Sequence, residues 1–126
     1  MVENYIVFKL NTVTELSGQI YPTAAPVCDC DPPFAIYTVM SSVPAYDLSG
    51  DVVSILDTIR VDLYGDDYDA LCALAQTTEN SLKAECEEYD DLYVFYSRVS
   101  RGEADGFDMN MELHRKTLTV AVRYWR

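Results

Sequence analysis

The stretch Val53-Ser-Ile-Leu-Asp-Thr-Ile-Arg-Val-Asp-Leu63, with the turn and the helical pattern that follow it up to Glu88, decides the fold. Its odd-numbered positions are mostly apolar, and polar residues stand at most positions between them. This period of two predicts a strand with one buried face. Tyr64-Gly65-Asp66-Asp67 interrupts the period, and a helical pattern begins at Tyr68. The sequence therefore predicts a long strand, an acidic turn and a long helix.

The helical pattern has a start signal and one apolar stripe. Asp66 or Asp67 is expected to cap the helix, and Asp69 adds a favourable charge in the first turn. The stripe comprises Tyr68, Leu71, Cys72, Ala75, Leu82 and Cys86. A stripe about 100° wide is typical of a helix laid on a sheet. Core packing is therefore the expected use of these residues.

The rest of the chain supplies a second helix and three further strands. A helix is predicted for residues 3–16, ended by Gly18. Strands are predicted for residues 34–40, 91–99 and 111–124, and the last two are expected to form a hairpin. Residues 41–51 are predicted to form a wide hairpin loop. The expected fold is α+β: an antiparallel sheet of about four strands with a long helix packed on one face and an N-terminal helix.

Length and charge limit the classes of protein to be considered. The chain has 126 residues, which indicates a single domain over residues 1–126. Twenty-one acidic residues against nine basic ones give a net charge of −12, which repels nucleic acid at long range. No apolar run approaches the ~18–20 residues of a membrane span. The N-terminus also lacks the basic start of a signal peptide, so we expect a protein that is not exported.

The four cysteines do not fit a zinc site. Cys28 and Cys30 have one residue between them, whereas zinc ligands are usually separated by two to four residues. Cys72 and Cys86 are expected about four turns apart on one helix, where they cannot bridge each other. His114 is the only histidine and has no cysteine nearby. The sequence predicts reduced thiols and no metal or other cofactor.

Known catalytic motifs are missing from the sequence. It contains no Gly-x-Ser-x-Gly elbow and no phosphate-binding glycine motif. Sequence alone leaves open a pair of carboxylates that converge in a cleft. Ten tyrosines lean toward protein–protein contacts, although strands and core account for most of them. The preferred interpretation is an interaction protein rather than an enzyme.

Two segments are expected to be exposed and to reach neighbouring subunits, residues 22–33 and residues 100–110. Phe107 and Met109 are apolar in an otherwise polar loop, which indicates either a contact loop or a loop that tucks back onto the sheet. The candidate interface residues are Val27, Cys28, Tyr46, Leu48, Phe107, Met109 and Trp125.

The order of signals along the chain resembles a known family. After the first helix come Gly18-Gln-Ile-Tyr-Pro22, a proline loop and Pro32-Pro-Phe-Ala-Ile-Tyr37. Then follow a loop, Ile59-Arg-Val-Asp-Leu-Tyr-Gly-Asp-Asp-Tyr-Asp-Ala-Leu71, a long helix and a hairpin ending in Val120-Ala-Val-Arg-Tyr-Trp125. This ordered set is similar to the tail completion, or tail terminator, family of long-tailed bacteriophages.

The resemblance implies a structural virion protein that assembles as a homo-oligomeric ring, commonly a hexamer. The ring would terminate the tail tube and join it to the head-side connector. Its implied partners are other copies of itself, the tail tube protein and the connector protein, and DNA would pass through the lumen without sequence-specific binding. The implied location is the head-proximal end of the tail, with assembly in the host cytoplasm.

Two alternatives stay open. A head-completion or connector protein is another ring of similar size. An acidic binding module that mimics DNA belongs to a different class and should display its acids evenly along one face. Here the acids cluster at turns and predicted helix ends, for example at residues 66–69 and 85–91, which disfavours mimicry.

Overall fold

A computed structural model describes residues 2–13, 20–22, 33–89, 92–101, 106–108 and 113–125. Nine elements follow one another along the chain: α1 (Val2–Asn11), β1 (Ile20–Pro22), β2 (Phe34–Tyr46), β3 (Val52–Gly65), α2 (Tyr68–Leu82), β4 (Ala84–Tyr89), β5 (Leu92–Arg101), β6 (Gly106–Asp108) and β7 (Leu113–Trp125). Neither described helix is long and apolar enough to cross a membrane.

All the described strands belong to one mixed sheet. Six of them lie in the order β1-β2-β3-β7-β5-β4, and β6 pairs with β7. β1 runs parallel to β2, whereas the other pairs are antiparallel. The prediction of a four-stranded antiparallel sheet with a long helix is therefore wrong: the fold is mostly sheet, with two short helices. Two short strands, β4 and β6, were missed because a run of three to six residues carries little periodicity.

The helix α2 begins where the sequence predicts and ends earlier. The Asp67 carboxylate caps it by accepting a hydrogen bond from the backbone N–H of Asp69 at 3.1 Å. The helix ends at Leu82, and residues 84–89 form strand β4 against β5. Placing Cys86 on the helix was therefore wrong. Alanine and glutamate favour helix, but pairing with the sheet edge overrides that preference.

The connection between β2 and β3 is shorter than predicted. β2 continues through Ser41 and Pro44 to Tyr46, so the predicted loop at residues 41–51 is mostly strand. Proline is tolerated on a strand near a sheet edge, where the missing N–H breaks no interior ladder. The turn itself spans only residues 47–51. The result is a long hairpin whose last pair with β7 is Ile55 with Tyr124.

Both helices pack on one face of the sheet, called here the helix-bearing face. The predicted odd-numbered face of β3 is confirmed at Ile59, Val61 and Leu63, which are fully buried. They join apolar residues from both helices and from β7 in the main core. Burial in this core raises the pKa of Tyr5, and the charge of Glu87 raises it further.

The opposite face is the helix-free face. A small cluster of Phe34, Tyr64 and Leu113 lies there, with the rings of Phe34 and Tyr64 stacked at 5.0 Å between centroids. The predicted hairpin of the last two long strands is confirmed, since β5 and β7 pair from Tyr93–Trp125 to Arg101–Leu118. Strand alternation places Arg60, Arg98, Arg115 and Arg123 on this face.

Candidate assembly surface

The first surface is the outer hairpin, defined as residues 39–59 of β2, its turn and β3. Among the residues that the structure describes, its strands beyond Ile55 pair only with each other. Since β3 runs without interruption from Val52 to Gly65, the turn projects past the end of β7. A hairpin whose turn extends past the adjacent strand is accessible to a neighbouring molecule.

A carboxylate organises the tip of the outer hairpin, residues 46–51. The Asp47 side chain accepts hydrogen bonds from the Ser49 hydroxyl at 2.7 Å, the Ser49 N–H at 2.9 Å and the Asp51 N–H at 3.0 Å. The Ser49 hydroxyl, followed by the Asp51 N–H, holds the pKa of Asp47 below its ordinary value. Gly50 supplies the positive φ of 91° that the turn requires. The tip is thus a defined structure with a persistent negative charge.

The outer hairpin exposes an unusual amount of apolar surface. Of the ten large hydrophobic residues that are exposed among those described, six lie in it: Val39, Met40, Val43, Tyr46, Leu48 and Val53. Tyr46 is 62% exposed. These residues lie on both faces of the hairpin, since Val39 pairs with Ile59 and Val43 pairs with Leu56. Exposed apolar residues concentrated in one element are candidates for contact with another molecule. Two of the exposed residues, Tyr46 and Leu48, were predicted from the sequence as interface residues.

The second surface lies on the helix-free face where β5 begins and β7 ends. We call it the aromatic–arginine patch, and it comprises Tyr93, Phe95, Tyr96, Arg98, Arg123 and Trp125. Phe95 and Trp125 are two more of the ten exposed hydrophobic residues. Eight of those ten therefore lie in the outer hairpin or in this patch. Aromatic residues and arginine are the types enriched at protein interfaces.

Stacking and hydrogen bonds arrange the side chains of the patch. The Arg98 guanidinium lies 4.3 Å from the centroid of the Tyr96 ring, within the range of a cation–π contact. Arg123 donates to the Ser54 hydroxyl at 2.8 Å and to the Tyr96 hydroxyl at 3.3 Å. The Tyr93 and Phe95 rings meet edge to face at 5.1 Å. Among the described residues neither arginine forms an ion pair, so both charges are available to a partner.

The predicted interface residues fall into three groups. Tyr46, Leu48 and Trp125 are exposed, and the two surfaces bring them to the same end of the sheet. Phe107 lies in β6, opposite His114 of β7. Val27, Cys28 and Met109 lie outside the described residues. Their role as contacts stays a prediction for all seven.

Sequence reasoning missed most of the patch. The pairing of the two strands was predicted, but a register shift between Val94 and Tyr96 sets which β5 side chains face outward, and no sequence pattern indicated it. The sequence did contain a signal for Arg123 and Trp125, because both alternate with apolar core residues of the last strand. That alternation alone predicts that the two share the outer face.

The sequence left open a pair of carboxylates that converge in a cleft, and the carboxylates beside a groove include Asp66 and Asp67. This groove of about 460 Å³ runs beside α2, and its polar lining also includes Thr77. Asp67 is already used as the helix cap. The described residues hold no group of three side chains that could bind a metal ion. His114 contacts the Tyr68 ring edge to face at 5.5 Å.

The chain resembles a solved structure in fold. No family model matches it, and no curated protein matches it. It does match a chain of the structure described as "Virion of native gene transfer agent (GTA) particle". The TM-score is 0.70 over 94% of this chain and 90% of that chain, at 13% sequence identity. At this identity the likeness shows a shared fold.

Proposed function

We propose that this protein is a non-catalytic structural subunit of a phage-like virion. Its copies form a ring, hexameric in the favoured form, that terminates the tail tube and joins it to the head-side connector. The observation that carries the proposal is the fold likeness to a chain of a gene transfer agent virion, which spans nearly the whole of both chains. The motif order of the sequence supports the tail terminator assignment within that class.

The described surfaces suit a ring subunit. A ring with a single type of subunit contact needs two different surfaces on each copy, so that each copy binds the next. The outer hairpin and the aromatic–arginine patch are two such surfaces, and they differ in shape and charge. A terminator also needs no catalytic group, because its role is to occupy the end of a tube.

The charge of the protein suits the passage of DNA. A net charge of −12 gives each ring a strongly negative field. DNA that crosses such a lumen is repelled from the wall and does not adhere to it. We therefore propose that DNA is transported through the ring without sequence-specific contacts.

The test is deletion of the gene from the phage that encodes it, followed by electron microscopy of the lysate. We expect tubes of abnormal length that are not attached to heads, because nothing stops the growth of the tube. A plasmid copy of the wild-type gene should restore normal tails, which links the defect to the protein itself.

Other outcomes of the deletion assign other functions. Tails of normal length beside unattached, DNA-filled heads would replace the terminator with a head-completion or connector protein. Normal virions in normal number would overturn a virion role, and an acidic binding module would then explain the charge.

A further inference from the structure

The two exposed surfaces complement each other in charge as well as in chemistry. Residues 39–59 contain Asp47, Asp51 and Asp57 and no lysine or arginine. Asp57 is buried, so the negative charges of the outer hairpin are at its tip. The patch presents the guanidinium groups of Arg98 and Arg123.

We propose that the hairpin tip of one subunit docks on the aromatic–arginine patch of a second copy of this chain. Leu48 and Tyr46 lie against the exposed rings of Phe95 and Trp125, and Asp51 faces Arg98. The inference deepens the proposed function, since it names the contact that would build the ring. It rests on exposure, side-chain chemistry and charge of residues in one chain.

A second copy is the occupant because the tip does not reach the patch of its own chain. The tip continues the direction of β2 and β3 past the last pair with β7, whereas the patch lies on the face of β5 and β7. The acidic protein also carries few positive surfaces to receive an acidic tip. Nine basic residues are present, and among the described ones Lys9, Arg60, Lys83 and Arg101 are ion-paired with carboxylates.

Acidic neighbours restrict where the tip lies on the patch. Glu85 of β4 is opposite Tyr96, and Glu88 is opposite Tyr93, at the edge of the sheet. Both carboxylates repel an acidic tip, so the tip lies away from β4, over Arg98 of β5 and Arg123 of β7. Ion pairs at the rim of an interface mainly select the partner and its orientation, while buried aromatic groups supply most of the affinity.

The contact is heterologous, because tip and patch are different surfaces. Each subunit donates one tip and receives another, so the same contact repeated around an axis closes a ring. A symmetric pairing of two tips would instead stop at a dimer and would bring like charges together. The heterologous and the symmetric contact therefore predict different results when variants disabled at the tip or at the patch are mixed.

The test measures self-association of the purified full-length chain by analytical ultracentrifugation, with three variants at exposed positions. Leu48→Asp disables the tip, Arg98→Glu disables the patch, and each should weaken association about tenfold. Arg115→Glu is the matched control, since Arg115 is exposed on the same face at the opposite end of the sheet. The control should change association by less than about twofold. Far-UV circular dichroism checks that all three variants fold.

Mixing and charge exchange identify the partner surface. A mixture of the Leu48→Asp and Arg98→Glu variants should form pairs and nothing larger, because one intact tip meets one intact patch. The double variant Asp51→Arg with Arg98→Glu should recover the association that either change removes. Recovery requires the two residues to face each other across subunits.

Three results would overturn the proposal. One is a wild-type chain that stays monomeric at about 1 mM. Another is Arg115→Glu weakening association as much as Arg98→Glu does. The third is a mixture of the two disabled variants that stays monomeric, which would favour binding to a different protein, whereas dimers of Arg98→Glu alone would favour a tip-to-tip contact. None of these depends on the gene deletion, so the virion role and the contact can fail separately.

Discussion

The two halves of the β2–β3 ladder are built from the same strands and have opposite surroundings. In the inner half Ala35, Val61 and Leu63 are fully buried beneath the helices. In the outer half Val43 is 56% exposed, although it also sits in a regular antiparallel pair, with Leu56. The backbone pairing is therefore the same, and coverage by the rest of the chain is different. The exposed apolar residues of the outer half, such as Val43, lie outside the core that the described residues form, which is why we assign them to assembly.

The largest expected difference between the halves is in stability. Leu63→Ala should lower the free energy of unfolding by about 2–5 kcal/mol, because it removes a fully buried side chain and leaves a cavity. Val43→Ala is the matched change in the outer half and should lie within about 0.5 kcal/mol of the wild type. Urea denaturation measures both. Similar losses at the two positions would mean that the outer half is part of the folding core.

A smaller effect is expected at the junction of the halves. Asp57 is 3% exposed on the helix-bearing face, and the buried Tyr124 hydroxyl donates a hydrogen bond to its Oδ2 at 3.0 Å. Tyr124→Phe removes that donor from a buried carboxylate and should destabilise the protein by about 1–3 kcal/mol. Tyr46→Phe at the exposed tip removes the same atom and should have almost no effect. Urea denaturation of the two variants therefore locates the boundary of the core. If Tyr124→Phe unfolded at the same urea concentration as the wild type, the boundary of the core would lie further inward than Asp57 and Tyr124.

The smallest expected effect concerns the tip. The pKa of Asp47 is lowered in the folded chain, chiefly by the Ser49 hydroxyl and then by the Asp51 N–H. A lowered pKa means that the contribution to stability is present above the ordinary aspartate pKa and is lost as pH falls through the folded pKa. NMR titration of Ser49→Ala should show the Asp47 pKa moving up toward its ordinary value, while the inner core stays unchanged. An unchanged Asp47 titration in that variant would contradict the described turn.

Sequence reasoning succeeded where one signal covered many residues. The alternation in β3 and the start of α2 at Tyr68 after the Asp67 cap are confirmed. It failed at β4, where Glu85, Glu87 and Glu88 favour helix but form the edge of the sheet. It also ended β2 too early, since Ser41 and Pro44 are typical of loops. In each failure pairing with the next strand of the sheet, β5 for β4 and β3 for β2, stabilised a conformation that local preference disfavours.

The residues of the two candidate surfaces also include some that the sequence indicated and some that it did not. Tyr46, Leu48 and Trp125 were predicted from the sequence as interface residues, and all three are exposed. Arg98 and Arg123 could not be placed together, because the predicted hairpin left open the register of β5 against β7 and the shift between Val94 and Tyr96.

The sequence by itself determined the long buried strand, the capped helix and the acidic charge, because each depends on the order of residues within a short segment. Only the tertiary structure decided which apolar residues are covered. That outcome depends on where the helices and β7 end relative to the β2–β3 ladder. The local sequence pattern of one segment does not show how far a distant segment extends along it. The uncovered remainder of the ladder is the part that a second subunit is proposed to contact.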